Sequence, residues 1–216
     1  FAAVALICCV VHVVSGILTL SQLRRRGMAW NTILFGPDSL IPSWRDAKDM
    51  VDMARWFIGL GSKPKFERWT YWEKYDYWMT IVACVVVGLS GLMMMYPNLF
   101  CRVVSGEMLN VARVIHVELA LMATSFLFVF HFYHAHFRPE KFPLDMSAVT
   151  GLVNEEHLRE HRPEYAARLD ATNAIVDLRR AAPSRRRLWV TFLAATLLFT
   201  LAVCLLGVAL TASMGK

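Results

Sequence analysis

The segment Asn110–Phe137, NVARVIHVELALMATSFLFVFHFYHAHF, combines a membrane-spanning length with an unusual number of histidines. About 20 mostly apolar residues are enough to cross a hydrocarbon core about 30 Å thick. Four histidines lie within the segment: His116, His131, His134 and His136. Ionisable side chains inside a membrane are costly and mark functional sites, so we expect the chemistry of the chain on this helix.

Two of these histidines, His116 and His131, have the spacing of haem ligands. Imidazole binds iron, and haem in helical bundles lies between histidines of facing helices. Their separation of 15 residues corresponds to about 22 Å of helix rise, which places one histidine in each leaflet. The spacing predicts a b-type cytochrome that carries electrons across a membrane. A non-haem metal site, a proton relay and hydrogen-bonded packing are the alternatives.

The composition predicts an all-α, polytopic membrane protein. The 216 residues are 56% hydrophobic, and the mean hydropathy is positive. Four segments are long and apolar enough to span: 2–20, 77–96, 114–137 and 188–212. The chain starts with Phe1 inside an apolar run, without the charged flank or cleavage site of a signal peptide. We therefore expect that an N-terminal portion, with room for another helix, is missing.

The basic residues predict the orientation of the spans. Twenty of the 23 Lys and Arg residues lie in two long connections, 21–76 and 138–187. The short connection between the second and third spans contains only Arg102. By the positive-inside rule, both long connections are cytoplasmic. The net charge of +6 then reflects topology and contact with anionic headgroups rather than nucleic-acid binding.

The chain divides into three parts on this basis. Residues 1–137 hold the haem-binding spans 1–3, residues 138–187 form a cytoplasmic connection, and residues 188–216 form the C-terminal span. Within the first part, residues 44–60 repeat apolar side chains at helical spacing. This cytoplasmic amphipathic helix is expected to lie in the membrane interface or to pack on a partner subunit.

Depth in the membrane predicts how the histidines pair. His12 and His131 both lie about 10–14 Å from the cytoplasmic edge, so they can face each other across one haem. Helical angles would align His134 with His116 better than His131, but depth favours His131. His134 and His136 are candidates for binding haem propionates or quinone, for proton relay, or for contact with water. His116 has no partner histidine in the outer leaflet, so its partner is expected in the missing N-terminal part or another subunit.

Two charged residues flank His116. Arg113 is a candidate partner for a haem propionate, and Glu118 is a candidate acceptor for a quinol proton near the outer face. An interfacial ion pair between the two is the alternative.

The cysteines predict no further cofactor. None of Cys8, Cys9, Cys84, Cys101 and Cys204 lies in a C-x-x-C-H motif for c-type haem or a C-x-x-C pair for zinc or iron–sulfur clusters. Cysteines within spans act as small apolar residues, so we expect all five to be structural.

Three stretches resemble a known family. They are FERWTYWEKYDYW (66–78), Ile115-His116 and HFYHAHFRPEKFP (131–143). They are similar to a bacterial family of integral cytochromes b related to the formate dehydrogenase γ subunit and the hydrogenase b-type cytochromes. Members of this family commonly accompany multihaem c-type cytochromes. The similarity covers about residues 44–170.

The resemblance implies b haems, electron exchange with a menaquinone or ubiquinone pool, and a periplasmic redox partner, either a multihaem cytochrome c or an iron–sulfur protein. It also implies a location in the bacterial inner membrane. By position, His116, His131 and His12 match haem ligands of the family, and His136 matches a recurrent family histidine. His134 stands where the family has a non-ligating polar residue.

Three functions therefore remain open at this point. The first is a subunit of a quinol or quinone oxidoreductase complex, the second a haem-binding membrane anchor without its own quinone site, and the third a haem-free anchor or transporter subunit. A haem spectrum separates the third from the others, and its response to a quinone-site inhibitor separates the first two.

Overall fold

A computed structural model of the chain describes residues 2–131, 133–134, 138–139, 145, 147 and 150–214. Every described element is helical, which confirms the predicted all-α class. The α-helices are α1 (Ala2–Arg25), α2 (Trp30–Phe35), α3 (Trp44–Phe57), α4 (Tyr71–Met95), α5 (Pro97–Phe100), α6 (Gly106–Phe126), α7 (Glu155–His161), α8 (Pro163–Ala171), α9 (Ala174–Leu178) and α10 (Arg185–Met214). A π-helical segment, Leu127–His131, continues α6.

Three helical segments are long and apolar enough to cross a membrane: Leu6–Arg25, Tyr71–Met95 and Gly106–His131. They overlap the first three predicted spans, although the second helix begins six residues earlier than the predicted 77. That early start places Asp76 inside the helix rather than before it. The fourth predicted span, 188–212, lies within the 30-residue helix α10, and its membrane crossing stays a prediction.

Helix α4 lies at the centre of the described spans, with α1 and α6 packed against it. Glycines on α4 allow these close approaches, because a Cβ added at Gly88 would lie 3.0 Å from Leu6 Cδ2 of α1. The outer faces of the three helices carry large exposed apolar side chains, such as Val10, Val85 and Leu121. In water such surfaces would be unfavourable, whereas lipid tails cover them without penalty. These faces are compatible with membrane lipid.

The segments 30–74 and 150–179 fold together into what we call the polar assembly. Arg168 bonds Asp38 at 2.7 Å and Glu67 at 3.1 Å, and Arg162 bonds Glu73 at 2.7 Å. A further ion pair joins Arg45 to Glu164. Because these pairs connect the two long connections of the chain, both connections lie at the same end of the spans.

The polar assembly is attached to α4 through a nearly buried ion pair. Asp46 caps α3 by accepting hydrogen bonds from the Ser43 backbone N–H and hydroxyl at 2.6 and 2.8 Å, and it pairs with Lys74 Nζ at 2.9 Å. The side chains of Asp46 and Lys74 are only 12% and 10% exposed. Burial alone would raise the pKa of Asp46, but the hydrogen bonds from Lys74 and Ser43 outweigh it and hold this pKa below its ordinary value.

Helix α3 is the predicted amphipathic helix, and it begins directly after Ser43. On its acidic side, Asp46 pairs with Lys74 of α4. Its apolar residues Met50, Val51 and Phe57 remain exposed. Cover of this apolar face by the membrane interface or by a partner subunit stays a prediction.

Candidate functional site

The candidate site is built on α4, because the three histidines predicted as haem ligands all form hydrogen bonds with residues of this helix. His12 lies on α1, His116 on α6 and His131 at the end of the π-helical segment. Their partners on α4 are Tyr77 for His12, Val87 and Ser90 for His116, and Asp76 for His131.

His116 is half-buried in a notch on α4. Its Nδ1 lies 3.0 Å from the Val87 carbonyl oxygen and 3.1 Å from the Ser90 hydroxyl oxygen. A carbonyl oxygen only accepts, so Nδ1 carries the proton and Nε2 carries the lone pair. Gly91 makes room for the ring, because a Cβ there would lie 3.0 Å from His116 Cε1.

His131 is oriented by a carboxylate. Its Nδ1 lies 3.3 Å from Asp76 Oδ2, and the ring is otherwise largely exposed. A carboxylate accepts, so Nδ1 donates and Nε2 again carries the lone pair of the neutral ring. Metal-binding histidines in proteins have this arrangement, with the second ring nitrogen held by a carboxylate or a backbone carbonyl.

The π-helical segment brings His131 toward the direction of His116. A straight α-helix would set them about 60° apart, since 15 residues at about 100° each exceed four turns by that angle. Each residue of a π-helix turns through a smaller angle, roughly 80°, because its hydrogen bonds span five residues instead of four. Over the four steps from Leu127 to His131 this lag adds up to about 80°, which exceeds the offset and leaves the two directions about 20° apart.

His12 lies at the same level of α4 as His131. Its Nε2 is 3.2 Å from the Tyr77 hydroxyl oxygen, and Tyr77 directly follows Asp76. The rings of His12 and Tyr77 are tilted relative to each other, with centroids 5.6 Å apart. Iron ligation through His12 Nε2 would therefore require the Tyr77 side chain to turn away from this nitrogen.

The remaining predicted histidines are His134 and His136. His134 lies against Tyr133, with ring centroids 5.4 Å apart. His136 lies outside the described residues, so its predicted roles stay predictions.

Arg113 and Glu118 are both exposed on α6. Within the described part of the chain, no salt bridge joins them to each other. Their predicted roles toward a propionate and a quinol proton stay predictions.

Among the described residues, no group of three or more His, Cys, Asp or Glu side chains is placed to hold a metal ion. A bare zinc or non-haem iron centre would need such a group, whereas a haem iron takes only axial ligands from the protein.

The α4 side of the site was missed by sequence reasoning. Asp76, Tyr77, Ser90 and Gly91 hold or accommodate the histidine rings, and none of them is among the predicted site residues. The sequence did contain a signal for Asp76, because it is an acidic residue at the start of an apolar helix. A carboxylate at that depth needs a partner.

Comparison with known proteins adds no further guide to this site, since no family model, curated protein or solved structure matches the chain.

Proposed function

We propose that this chain is a membrane cytochrome b subunit that carries electrons between the quinone pool and a redox partner across the membrane. The observation that carries the proposal is the pair His116 and His131 on one helix. Both rings are held through Nδ1 by an acceptor on α4, and both have Nε2 as the ligating nitrogen. Their helix rise of about 22 Å suits two haems, one in each leaflet.

The histidines would divide between two b haems. His131 and His12 lie at one level of α4, so they would bind the haem nearer the polar assembly. His116 would bind the other haem, with its second ligand supplied by a helix outside the described residues or by another subunit. When bound, haem supplies one-electron redox chemistry.

The chain's own residues would set the properties of these ligands. The Asp76 carboxylate orients the His131 ring and makes it more electron-donating, whereas His116 has only the neutral Val87 carbonyl and Ser90 hydroxyl. Stronger donation favours ferric iron, so the haem at His131 is expected to have the lower reduction potential.

Family membership and location are part of the same proposal. The motifs at 66–78 and 131–143 support a place among bacterial integral cytochromes b related to the formate dehydrogenase γ subunit. Electron exchange with quinone and a multihaem cytochrome c or iron–sulfur partner follow from that place. Glu118 would accept the quinol proton, because it flanks His116 near the outer face. The basic residues of the polar assembly support an inner-membrane orientation with this assembly in the cytoplasm.

A reduced-minus-oxidised absorbance spectrum of the purified protein tests the proposal. A b-type haem band that shifts when a quinone-site inhibitor is added is the expected result. A haem band without a shift would indicate a haem-binding anchor without a quinone site. The absence of any haem band would overturn the proposal and leave a haem-free anchor or transporter subunit.

A further inference from the structure

A second candidate site lies in the polar assembly, apart from the three α4-bound histidines. It is a cavity of about 580 Å³ between the N-terminal turn of α4 and helices α7 and α8. This volume falls within the range of small-molecule sites, about 300–1,000 Å³. We call it the basic cavity, because cations outnumber carboxylates in its lining.

The charges of the basic cavity do not balance. Four cationic side chains line it: Lys63, Arg68, Arg138 and Arg162. Of the residues that the structure describes, two carboxylates, Glu73 and Asp145, also line it, so the described cations outnumber the described carboxylates by two. Both carboxylates already accept hydrogen bonds within the protein, from Thr70 and Arg162 in one case and from Ser147 in the other.

Arg162 shows the consequence of this imbalance. Its side chain is only 17% exposed, and it donates to Glu73 at 2.7 Å. Burial lowers the pKa of Arg162, and the positive charge of Arg138 acts in the same direction although Glu73 opposes both. Arg138 and Arg162 thus bring two guanidinium groups to the lining of one cavity, where an anion would be attracted.

Two histidines also line the cavity. The rings of His157 and His161 stack with centroids 4.0 Å apart. His161 Nδ1 lies 3.2 Å from the His157 carbonyl oxygen, so it donates and leaves the lone pair on Nε2.

Aromatic side chains form part of the walls, and the cavity lies at the ends of two spans. Phe66, Trp72 and Tyr165 contribute aromatic surface. Trp72 is in the first turn of α4, and Arg138 follows the last described turn of the histidine helix. Aromatic residues at span ends lie at the level of lipid headgroups. Cations and apolar surface at this depth suit an anion with a hydrocarbon part.

We propose that the basic cavity binds the phosphate group of an anionic lipid. Lys63, Arg68 and Arg138 would contact the phosphate, and the aromatic walls would contact the glycerol and upper acyl region. Basic pockets at the cytoplasmic ends of spans bind anionic headgroups in this way. The bound lipid would link segments 63–73 and 138–165. It would thereby stabilise the attachment of the polar assembly to the spans.

The test measures the melting temperature of the purified full chain in neutral detergent. Phosphatidylglycerol is added to one sample, phosphatidylcholine to a second, and inorganic phosphate to a third. Phosphatidylglycerol is expected to raise the melting temperature, because a ligand that binds only the folded state stabilises it. Phosphatidylcholine should have little effect, since its headgroup carries no net charge.

Two variants and a matched control complete the test. Lys63→Gln and Arg68→Gln each remove one exposed cation. Each variant should need about five-fold more phosphatidylglycerol than the wild type for the same rise in melting temperature. Arg55→Gln removes an exposed cation of α3 that does not line the cavity, and should leave the response unchanged. All three should melt like the wild type without lipid, because none of these side chains is buried.

Three outcomes would overturn the proposal. An equal response to inorganic phosphate would identify a site for free phosphate rather than lipid. An equal response to both lipids would show unspecific stabilisation. A loss of response in Arg55→Gln as large as in the cavity variants would show a general charge effect of the surface.

Discussion

The membrane-spanning helices and the polar assembly use histidine in opposite ways. His116 and His131 each reach across to a different helix and bond α4 through Nδ1. His157 and His161 instead lie stacked on α7, and His161 bonds a carbonyl of its own helix. Between spans, an imidazole is therefore oriented with one nitrogen available for a ligand. In the polar assembly, the two histidines line a cavity together with several cationic side chains.

The two regions also differ in what holds them together. The described polar contacts between spans centre on the three histidines, whereas the polar assembly is joined by arginine–carboxylate and lysine–carboxylate pairs. Loss of an ion pair should therefore lower the stability of the polar assembly. Small changes on α4 should instead alter how the histidine rings are held. The following variants test this division.

The largest effect is expected from Asp46→Asn. This change leaves the Lys74 ammonium, which is 10% exposed, without its carboxylate. Breaking a buried pair in this way costs about 3–5 kcal/mol, so the melting temperature should fall strongly. The double variant Asp46→Asn/Lys74→Met should recover part of the loss, because it removes the stranded charge. A melting temperature equal to the wild type in the single variant would contradict this role.

The same carboxylate predicts a pH dependence. Its pKa is lower in the folded state than the ordinary value of 3.8. The stabilisation it provides is therefore fully present above that value and is lost as the pH falls through the lowered folded-state pKa. Melting curves of the wild type and Asp46→Asn should converge at the acidic end of this window and stay apart at neutral pH.

A smaller effect is expected from Gly91→Ala on α4. The added Cβ would lie 3.0 Å from His116 Cε1, so the ring must move from the Val87 carbonyl. Such overpacking costs about 1–3 kcal/mol. Gly16→Ala is the matched control, since a Cβ there meets nothing within 4 Å and alanine favours the helix by about 0.5–1 kcal/mol. Equal melting temperatures for the two variants would argue against a crowded His116 notch.

Asp76→Asn should act on one haem alone. The amide still accepts a hydrogen bond from His131 Nδ1, but the charge that strengthens the ligand is lost. Changes at such supporting residues reduce metal affinity by about 10–100-fold, and we expect the lower end here. A redox titration should show one haem potential raised and the other unchanged. Ser90→Ala should instead affect the haem at His116; identical titrations for both variants would contradict this assignment.

The smallest effect is expected from Asp170→Asn in the polar assembly. Asp170 bonds Arg159 at 2.5 Å, but both side chains are more than 40% exposed. Exposed pairs contribute little to stability, so thermal melting should barely change. A fall in melting temperature as large as that of Asp46→Asn would contradict this expectation. It would show that burial does not determine how much each ion pair of this assembly contributes to stability.

Much of the fold could be predicted from the sequence because the spans are long, apolar and bounded by charge. The helical class, the first three long apolar helices and the amphipathic helix α3 were predicted correctly. The π-helical turn before His131 was not, because hydropathy carries no information about a change from α- to π-helical hydrogen bonding. Straight-helix angles therefore favoured His134 over His131 as the residue aligned with His116.

The partners of the histidines were harder to predict than the histidines themselves. Tyr77 and Asp76 are two of several polar and aromatic residues between 66 and 78, and the sequence does not show which of them turn toward α1 and α6. The basic cavity was not predicted either, since Lys63, Arg138 and Arg162 come together only when both long connections fold at one end of the spans.

A pyridine haemochrome assay on the purified protein tests the central claim most directly. It would compare the wild type with His116→Ala, His131→Ala and the control His157→Ala, whose ring lies in the polar assembly. We expect each of the first two variants to lose about one protohaem per chain and the control to keep the wild-type content. A wild type without protohaem, or equal haem content in all four proteins, would contradict the account.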